Sequence, residues 1–124
     1  MNDTFLRRVL LADAAVGLVV ALAFLAATAF YVELTGLPEA VLRWAAVILL
    51  GYVAALTLAA LLRPVRRPLV TGIIIANAVW VGASLVVLAL VPTTPFGAFY
   101  VIGQALIVVG FGVAECVGLR RVRN

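Results

Sequence analysis

Six of the polar or amphipathic side chains within the apolar stretches of this chain could form a site, and their chemistry needs an explanation. Aspartate and glutamate can carry a charge or hold a proton. Asparagine, serine and glutamine can orient a polar group, and tryptophan can form an apolar wall with one N–H donor. Together in an apolar interior, such side chains predict a site for a lipid-like or small amphiphilic ligand. The candidate ligand-binding residues are Asp13, Asn77, Trp80, Ser84, Gln104 and Glu115.

The residue types that serve most metal sites and catalytic sites are scarce in the chain. There is no histidine, and Cys116 is the only cysteine, so the chain can form neither an internal disulfide nor a cysteine–histidine metal site. No glycine-rich phosphate loop and no paired nucleophile and base are found. Acid chemistry by Asp13 and Glu115 requires that the two approach each other. We therefore predict no catalytic residues, no metal and no cofactor, and a protein that is not an enzyme.

The candidate residues form stripes when each stretch is drawn as a helix with about 100° per residue. Asn77, Trp80 and Ser84 stand at positions i, i+3 and i+7 and therefore share one face. Tyr52 and Thr57 are five residues apart and align poorly. The other two stripes consist of Gln104, Val108, Phe111 and Glu115, and of Asp13, Gly17, Val20, Phe24 and Thr28.

The polar residues also fall into matching levels when depth is counted from the arginine-rich end of each stretch at ~1.5 Å per residue. This count predicts a ladder of polar contacts inside a helical bundle, with Leu, Val, Ile and Ala facing lipid. The levels are ~6–8 Å for Asp13 and Glu115, ~13–15 Å for Asn77 and Tyr52, and ~22–24 Å for Ser84 and Gln104.

Two interpretations of this ladder remain open. In the first, the polar groups only join helices by hydrogen bonds that contribute ~0.6–2 kcal/mol each, and the two carboxylates pair with Arg7, Arg8 or Arg120. In the second, the intramembrane ionisable groups face a cavity or a pathway and serve a function. A dry, packed interior would favour the first interpretation, and a filled cavity lined by the ladder would favour the second.

Four long apolar stretches must position these residues. Hydrophobic residues make up 67% of the 124 and charged residues 11%, and the mean hydropathy is +1.29. The stretches lie near 9–32, 40–62, 69–91 and 96–119, with all five prolines between them, and each is long enough to cross a ~30 Å hydrocarbon core as a helix. The ~10-residue alternation of barrel strands is missing. We predict an all-α membrane protein, a four-helix up-down bundle with helices at about 5–32, 38–62, 68–91 and 96–119 in a single domain, 1–124.

The first stretch begins like a secretory signal peptide but does not continue like one. Asp13 lies inside it, and apolar sequence runs on to Tyr31, whereas the apolar region of a signal peptide has ~7–15 residues. We therefore expect a retained first helix.

The arginines are distributed very unevenly about the predicted helices. Of nine, only Arg43 lies at the end that also carries Glu33 and Glu39. The positive-inside rule then places both termini in the cytoplasm. Contact with anionic headgroups explains the basic charge, so we expect membrane lipids as partners and no nucleic acid. The other eight are Arg7, Arg8, Arg63, Arg66, Arg67, Arg120, Arg121 and Arg123.

Small residues recur at four-residue spacing on every predicted helix, and such spacing permits close helix contact. Packing within one bundle explains some of these faces, and the surplus predicts a homodimer. The faces are Gly17/Ala21, Gly51/Ala55/Ala59, Gly72/Ala76, Ala78/Gly82 and Gly110/Ala114/Gly118.

Four segments of the chain resemble an uncharacterised family of small bacterial four-helix integral membrane proteins: LRRVLLADAAVGL, GLPEAVLRWA, NAVWVGAS and GQALIVVGFGVAECVGLRR. In size and helix count the chain is also similar to DoxX-like membrane proteins. These resemblances imply the four-helix fold and a place in a bacterial inner membrane, and they imply no particular activity. Small multidrug resistance transporters are similar in having four helices and one acidic residue in the first, here Asp13. They use a membrane-buried glutamate there, however, and many lack so strong a charge bias.

Three functions are compatible with these observations. The first is a non-enzymatic inner-membrane protein whose polar site binds a lipid-like or small amphiphilic ligand, or which serves as an accessory subunit. The second is a proton-coupled small-molecule exporter that depends on Asp13. The third is a purely structural or scaffolding membrane protein.

Overall fold

The computed structural model describes residues 3–122, which form five α-helices and no β-strand. The helices are α1 (Thr4–Ala26), α2 (Thr28–Thr35), α3 (Glu39–Leu61), α4 (Arg67–Leu90) and α5 (Pro95–Arg121). Of the eight clustered arginines, Arg123 lies outside the described residues.

Four of the helices, α1, α3, α4 and α5, have the length and apolar composition needed to cross a membrane. They contain 23 to 27 residues each, and a helix rises ~1.5 Å per residue, so each exceeds the ~30 Å thickness of a hydrocarbon core. The prediction of an all-α protein with four helices long and apolar enough to span a membrane is confirmed for residues 3–122, and this composition is that of a multi-pass membrane protein.

Prolines mark where three of these helices begin. Pro38 is the residue before α3, Pro68 lies in the first turn of α4, and Pro95 is the first residue of α5. Proline is favoured there because its missing N–H would have no partner in the helix. The predicted helices at 38–62, 68–91 and 96–119 therefore agree with α3, α4 and α5 to within two residues at each end.

The first predicted helix, at about 5–32, is wrong as a single element, because the chain leaves helical geometry at Ala27 (φ −129°, ψ 37°). The Thr28 hydroxyl donates to the carbonyl oxygen of Phe24 at 2.5 Å, which is the acceptor that the Thr28 amide would use in a continuous helix. Helical hydrogen bonding resumes at once, since Tyr31 N donates to Ala27 O at 3.1 Å. The predicted helix is thus divided into α1 and the shorter α2, which ends at Thr35.

The end of α2 is fastened to the start of α5. Thr94 donates its amide to Thr35 O at 3.0 Å and its hydroxyl to Leu34 O at 2.8 Å. The same hydroxyl accepts from the Gly97 amide at 2.9 Å and so caps α5. Gly36 (φ 78°) supplies the left-handed residue that ends α2. We call this contact the α2–α5 joint.

The long helices pack mainly in two pairs, α1 with α3 and α4 with α5, and α1 also contacts α5. Glycines lie at two of these crossings. A Cβ on Gly17 would come within 3.0 Å of Val53 Cγ2 on α3, and a Cβ on Gly118 would come within 3.0 Å of Leu6 Cβ on α1. The small-residue faces at these two positions are therefore used inside the molecule.

The buried apolar side chains form two clusters, one toward each end of the long helices. Between them lies the layer of polar side chains described below. The cluster at the arginine-rich end includes Leu6, Leu10, Leu56, Val70 and Ile73. The cluster at the other end includes Ala21, Phe24, Leu42, Ala46 and Val101.

Most of the remaining apolar surface faces outward, as expected of helices surrounded by lipid. Val79, Leu90 and Leu106 are each at least 65% exposed. Apart from their chain neighbours and their own helix backbone, Gly51, Gly72, Gly82 and Gly110 have no described atom within 4 Å of the position that a Cβ would occupy. These glycines do not serve helix contacts within the chain, in contrast to Gly17 and Gly118.

Arg7 joins the start of α1 to the end of α3. Its guanidinium donates through Nη1 to Ala60 O and through Nε to Asp3 Oδ2, the latter at 2.9 Å. The carbonyls of the last helical turn have no partner within their helix, and the helix dipole favours a cation there. The hydrogen bond from Arg7 holds the pKa of the Asp3 carboxyl below its usual range.

Arg67 makes the equivalent link from the start of α4 to the end of α5. Its Nη1 donates to Leu119 O at 3.3 Å and to Val122 O at 3.2 Å. The start of α4, the end of α5, and the start of α1, which contacts Gly118 through Leu6, therefore lie at one end of the molecule.

Candidate functional site

A chain of side-chain hydrogen bonds connects all four long helices near the arginine-rich end. The Tyr52 hydroxyl on α3 contacts Asp13 Oδ2 on α1 at 3.4 Å and Asn77 Oδ1 on α4. Asn77 Nδ2 in turn donates to Glu115 Oε1 on α5 at 2.8 Å. We call these four residues the inner network.

Local packing explains why these side chains meet. Gly17 lies one turn beyond Asp13 and lets α3 approach α1 closely, because a Cβ there would touch Val53, the neighbour of Tyr52. On the other side, Gly112 lies in contact with Asn77: a Cβ on it would be 3.6 Å from Asn77 Nδ2. Small residues thus bring the helix backbones close enough for short polar side chains to meet.

Glu115 is the most deeply buried member of the inner network. It is 0% exposed, and within residues 3–122 its Oε2 atom has no hydrogen-bond donor. The carboxyl group of Asp13 comes within hydrogen-bonding reach of Glu115, but an ionised carboxylate has no hydrogen to donate. Two adjoining buried carboxyl groups can satisfy each other only when one of them carries a proton.

The alternative in which Asp13 or Glu115 pairs with an arginine is wrong. The two ion pairs among the described residues join Arg7 to Asp3 and Arg43 to Glu39. Arg7 is engaged at the helix ends, and Arg8 and Arg120 are exposed. Within residues 3–122, the inner network therefore contains two carboxyl groups and has no cationic partner.

A second group of candidate residues lies farther from the arginine-rich end, between α4 and α5. Trp80 Nε1 donates to Gln104 Oε1 at 2.8 Å, and Gln104 Nε2 donates to Ser84 Oγ at 2.9 Å. The Ser84 hydroxyl donates to Trp80 O at 2.8 Å. We call these three residues the outer network, and its side chains are partnered with one another.

The six candidates thus divide into two groups, with Asp13, Asn77 and Glu115 in the inner network and the other three in the outer network. The candidate list omitted Tyr52, which lies between Asp13 and Asn77. Its signal in the sequence was its depth, which matched that of Asn77. Thr57 is not part of either network through its hydroxyl, which donates to Val53 O in its own helix at 2.9 Å.

An apolar groove of about 560 Å³ lies elsewhere, between α1 and α5. Its α1 wall runs from Phe5 to Ala12, and its α5 wall runs from Ile107 to Ala114. None of the six candidate residues lines this groove, so it is a separate feature from the inner network.

The inner network has the composition to hold a proton or a hydrogen-bond donor. Two carboxyl groups, one carboxamide and one phenol supply acceptors in a place shielded from water, where such contacts are strong. Among the described residues, no three His, Cys, Asp or Glu side chains come together as metal ligands.

No protein-family model matches the chain, and neither a curated protein nor a solved structure matches it. The resemblances to the uncharacterised four-helix family and to DoxX-like proteins are therefore not supported by a family match. What supports a functional interpretation is the geometry of the two networks and the four apolar helices.

Proposed function

We propose that this chain is a non-enzymatic protein of the bacterial inner membrane whose inner network binds a small amphiphilic, lipid-like ligand through a hydrogen-bond donor. The observation that carries the proposal is Glu115 Oε2, which is buried without a donor in the described part of the chain. A buried acceptor left unpaired costs ~1–3 kcal/mol. A proton shared with Asp13 can supply the missing hydrogen when no ligand is bound, and an ammonium, hydroxyl or amide group of a ligand would supply it in the complex.

The chemistry of the inner network favours a cationic head group on that ligand. Asp13 and Glu115 contribute two carboxyl groups with no arginine in contact, so a buried cation would find its counter-charge here. Tyr52 and Asn77 would orient the head group, and Trp80, one turn from Asn77, would offer an apolar face to the remainder. The alternative is an accessory subunit that binds no ligand. It would apply if the side chains of the inner network were satisfied by one another, as those of the outer network are.

The proposed topology is an up-down bundle with both termini in the cytoplasm. It is supported by the arginines, since the linkers and ends that carry them meet at one end through Arg7 and Arg67. Arginine-rich segments stay on the cytoplasmic side during insertion.

Dodecylamine and dodecanoic acid form a matched pair of probes for the ligand proposal. In the Trp44→Phe variant, Trp80 is the one remaining tryptophan, and its fluorescence reports on ligands near the inner network. We expect dodecylamine to bind the protein in neutral micelles with an affinity about tenfold above that of dodecanoic acid, since a charged hydrogen bond contributes ~1.5–3 kcal/mol.

The Glu115→Gln variant assigns that binding to the inner network. It preserves the side-chain shape and removes the charge, so we expect about tenfold weaker dodecylamine binding. Glu39→Gln is the matched control, because Glu39 is exposed and pairs with Arg43. Equal dodecylamine affinity in wild-type protein and in folded Glu115→Gln would rule out the proposed site.

A proton-coupled exporter is the second candidate, and the adjoining carboxyl groups of Asp13 and Glu115 favour it. A cationic substrate would displace the proton shared by the two carboxyl groups, and this exchange would couple substrate transport to proton transport. We expect Asp13→Asn to abolish pH-gradient-driven uptake of rhodamine 6G into inverted vesicles while the protein still folds. Intact uptake in that variant would eliminate the exporter.

Membrane lipids and a second copy of the chain are the proposed partners. The outward glycines Gly51, Gly72 and Gly82 support contact with another helix, because no other side chain or helix among residues 3–122 fills the space beside them. No feature of the site calls for nucleic acid, a metal or a cofactor.

A further inference from the structure

The groove between α1 and α5 has a charged end and an otherwise apolar wall. Arg8 lines it beside Phe5, and the guanidinium of Arg121 lies 5.2 Å from the centroid of the Phe5 ring. The rest of the lining comes from residues such as Ala12, Ile107 and Gly110. Two cationic groups therefore stand where the groove reaches the arginine-rich end of the molecule.

The length of the groove suits a hydrocarbon chain. Its walls run from Phe5 to Ala12 on α1 and from Ile107 to Ala114 on α5. At ~1.5 Å per residue, the groove extends ~10 Å along each helix, about a third of the thickness of a hydrocarbon core. The groove therefore lies within one leaflet, at the arginine-rich end of the molecule.

We propose that the groove holds one acyl chain of an anionic phospholipid from the surrounding membrane, with its phosphate group against Arg8. A phospholipid has its charge at one end and an apolar chain at the other, which matches the lining of the groove. Cationic residues at a membrane surface attract anionic lipids, and the aliphatic part of an arginine can lie along the apolar wall while its guanidinium reaches the head group.

A second copy of the chain fits the groove less well than a lipid. Symmetric copies that share one orientation in the membrane would bring the same surface together, and with it two Arg8 side chains at one level. Like charges in such an interface oppose association. The proposal does not depend on the inner network, since no member of that network lines the groove.

Native mass spectrometry of the full chain can test the charged end of the groove. Protein in neutral detergent is given equal amounts of phosphatidylglycerol and phosphatidylcholine with identical acyl chains. We expect the wild type to retain phosphatidylglycerol preferentially and Arg8→Gln to lower that preference about fivefold. Arg43→Gln is the control, because Arg43 is an exposed arginine on a different helix and does not line the groove, and it should leave the preference unchanged.

Filling the groove tests the apolar wall. Gly110→Leu places a large side chain in the groove, while Gly51→Leu makes the same change on α3 at nearly the same depth. Neither position has an atom within 4 Å of a Cβ, so both variants should fold. We expect Gly110→Leu alone to lower phosphatidylglycerol retention about fivefold or more.

Three outcomes would overturn the proposal. They are equal retention of the two lipids by the wild type, an unchanged preference in Arg8→Gln, and a Gly110→Leu variant that loses a dimer while keeping its lipid. The last outcome would assign the groove to a second copy of the chain.

Discussion

Tyr52 on α3 links Asp13 on α1 to Asn77 on α4 within the inner network. Its hydroxyl has one hydrogen, and both of its neighbours present oxygen atoms, so it can donate to only one of them at a time. It contacts Asn77 Oδ1 and, at 3.4 Å, Asp13 Oδ2. When the hydrogen points to Asn77, Asp13 Oδ2 receives no hydrogen from Tyr52 and can accept one from a ligand.

The Tyr52→Phe variant should show how much this hydroxyl contributes to stability. It leaves Asn77 Oδ1 without its donor, so we expect a loss of about 1 kcal/mol in the free energy of unfolding. Unfolding by sodium dodecyl sulfate in mixed micelles measures this quantity. Tyr31→Phe removes the same atom outside both networks and should have less effect, and an equal loss in the two variants would show that the network is not the cause.

At the scale of single residues, counting helical rise predicts two of the three levels. The third level, Asp13 with Glu115 at ~6–8 Å, is not separate, because Asp13 contacts Tyr52 and Glu115 contacts Asn77 in one network. Helical rise alone brought Tyr52 level with Asn77, and Ser84 level with Gln104, and both pairs form hydrogen bonds. The count could not show that Arg7 would turn to Ala60 O and Asp3 and away from Asp13. The partners of Arg7 depend on where the end of α3 lies relative to α1. The spacing of residues within one helix carries no information about that position.

At the scale of elements, the α2–α5 joint leaves no room for a side chain at Gly97. A Cβ there would lie 2.0 Å from Thr35 O and 2.8 Å from Thr35 C. Both are backbone atoms and cannot rotate away, so the helices would have to separate.

Gly97→Ala should therefore destabilise the fold by about 1–3 kcal/mol, as overpacking of a tight contact does. Gly103→Ala is the matched control on the same helix, because no atom lies within 4 Å of its Cβ position. It should be neutral or stabilising by up to ~1 kcal/mol, since alanine favours a helix over glycine. Thermal unfolding followed by circular dichroism distinguishes the two, and equal stability of both variants would contradict the joint.

Hydropathy does not predict that the first predicted helix is divided into α1 and α2. Residues 14–32 carry no charge, and no proline or glycine stands near Ala27 to mark a boundary. At the break, the hydroxyl of Thr28 donates to the carbonyl oxygen of Phe24. Threonine also occurs in many unbroken membrane helices, so its presence does not predict a break. By contrast, the starts of α3, α4 and α5 were predictable because prolines stand there.

At the scale of the whole molecule, the proposed orientation can be tested with single cysteines in a Cys116→Ala background. Glu39→Cys lies at the start of α3, and Arg66→Cys lies just before α4, at the opposite end. We expect a membrane-impermeant maleimide to label Glu39→Cys in cells whose inner membrane is intact, and Arg66→Cys only after that membrane is opened. The reverse labelling pattern would invert the topology.

The hydrogen bonds of the inner network can all form only after the last helix, α5, has been synthesised. Asp13, Tyr52 and Asn77 lie on α1, α3 and α4, whereas Glu115 lies on α5, 38 residues after Asn77. Until α5 enters the membrane, Asn77 Nδ2 lacks its acceptor, and an unpaired amide in hydrocarbon is costly. The three earlier helices thus carry an incomplete polar surface that the last helix closes. Assembly would depend on the arrival of α5, and a chain released before it would keep a polar defect in the bilayer.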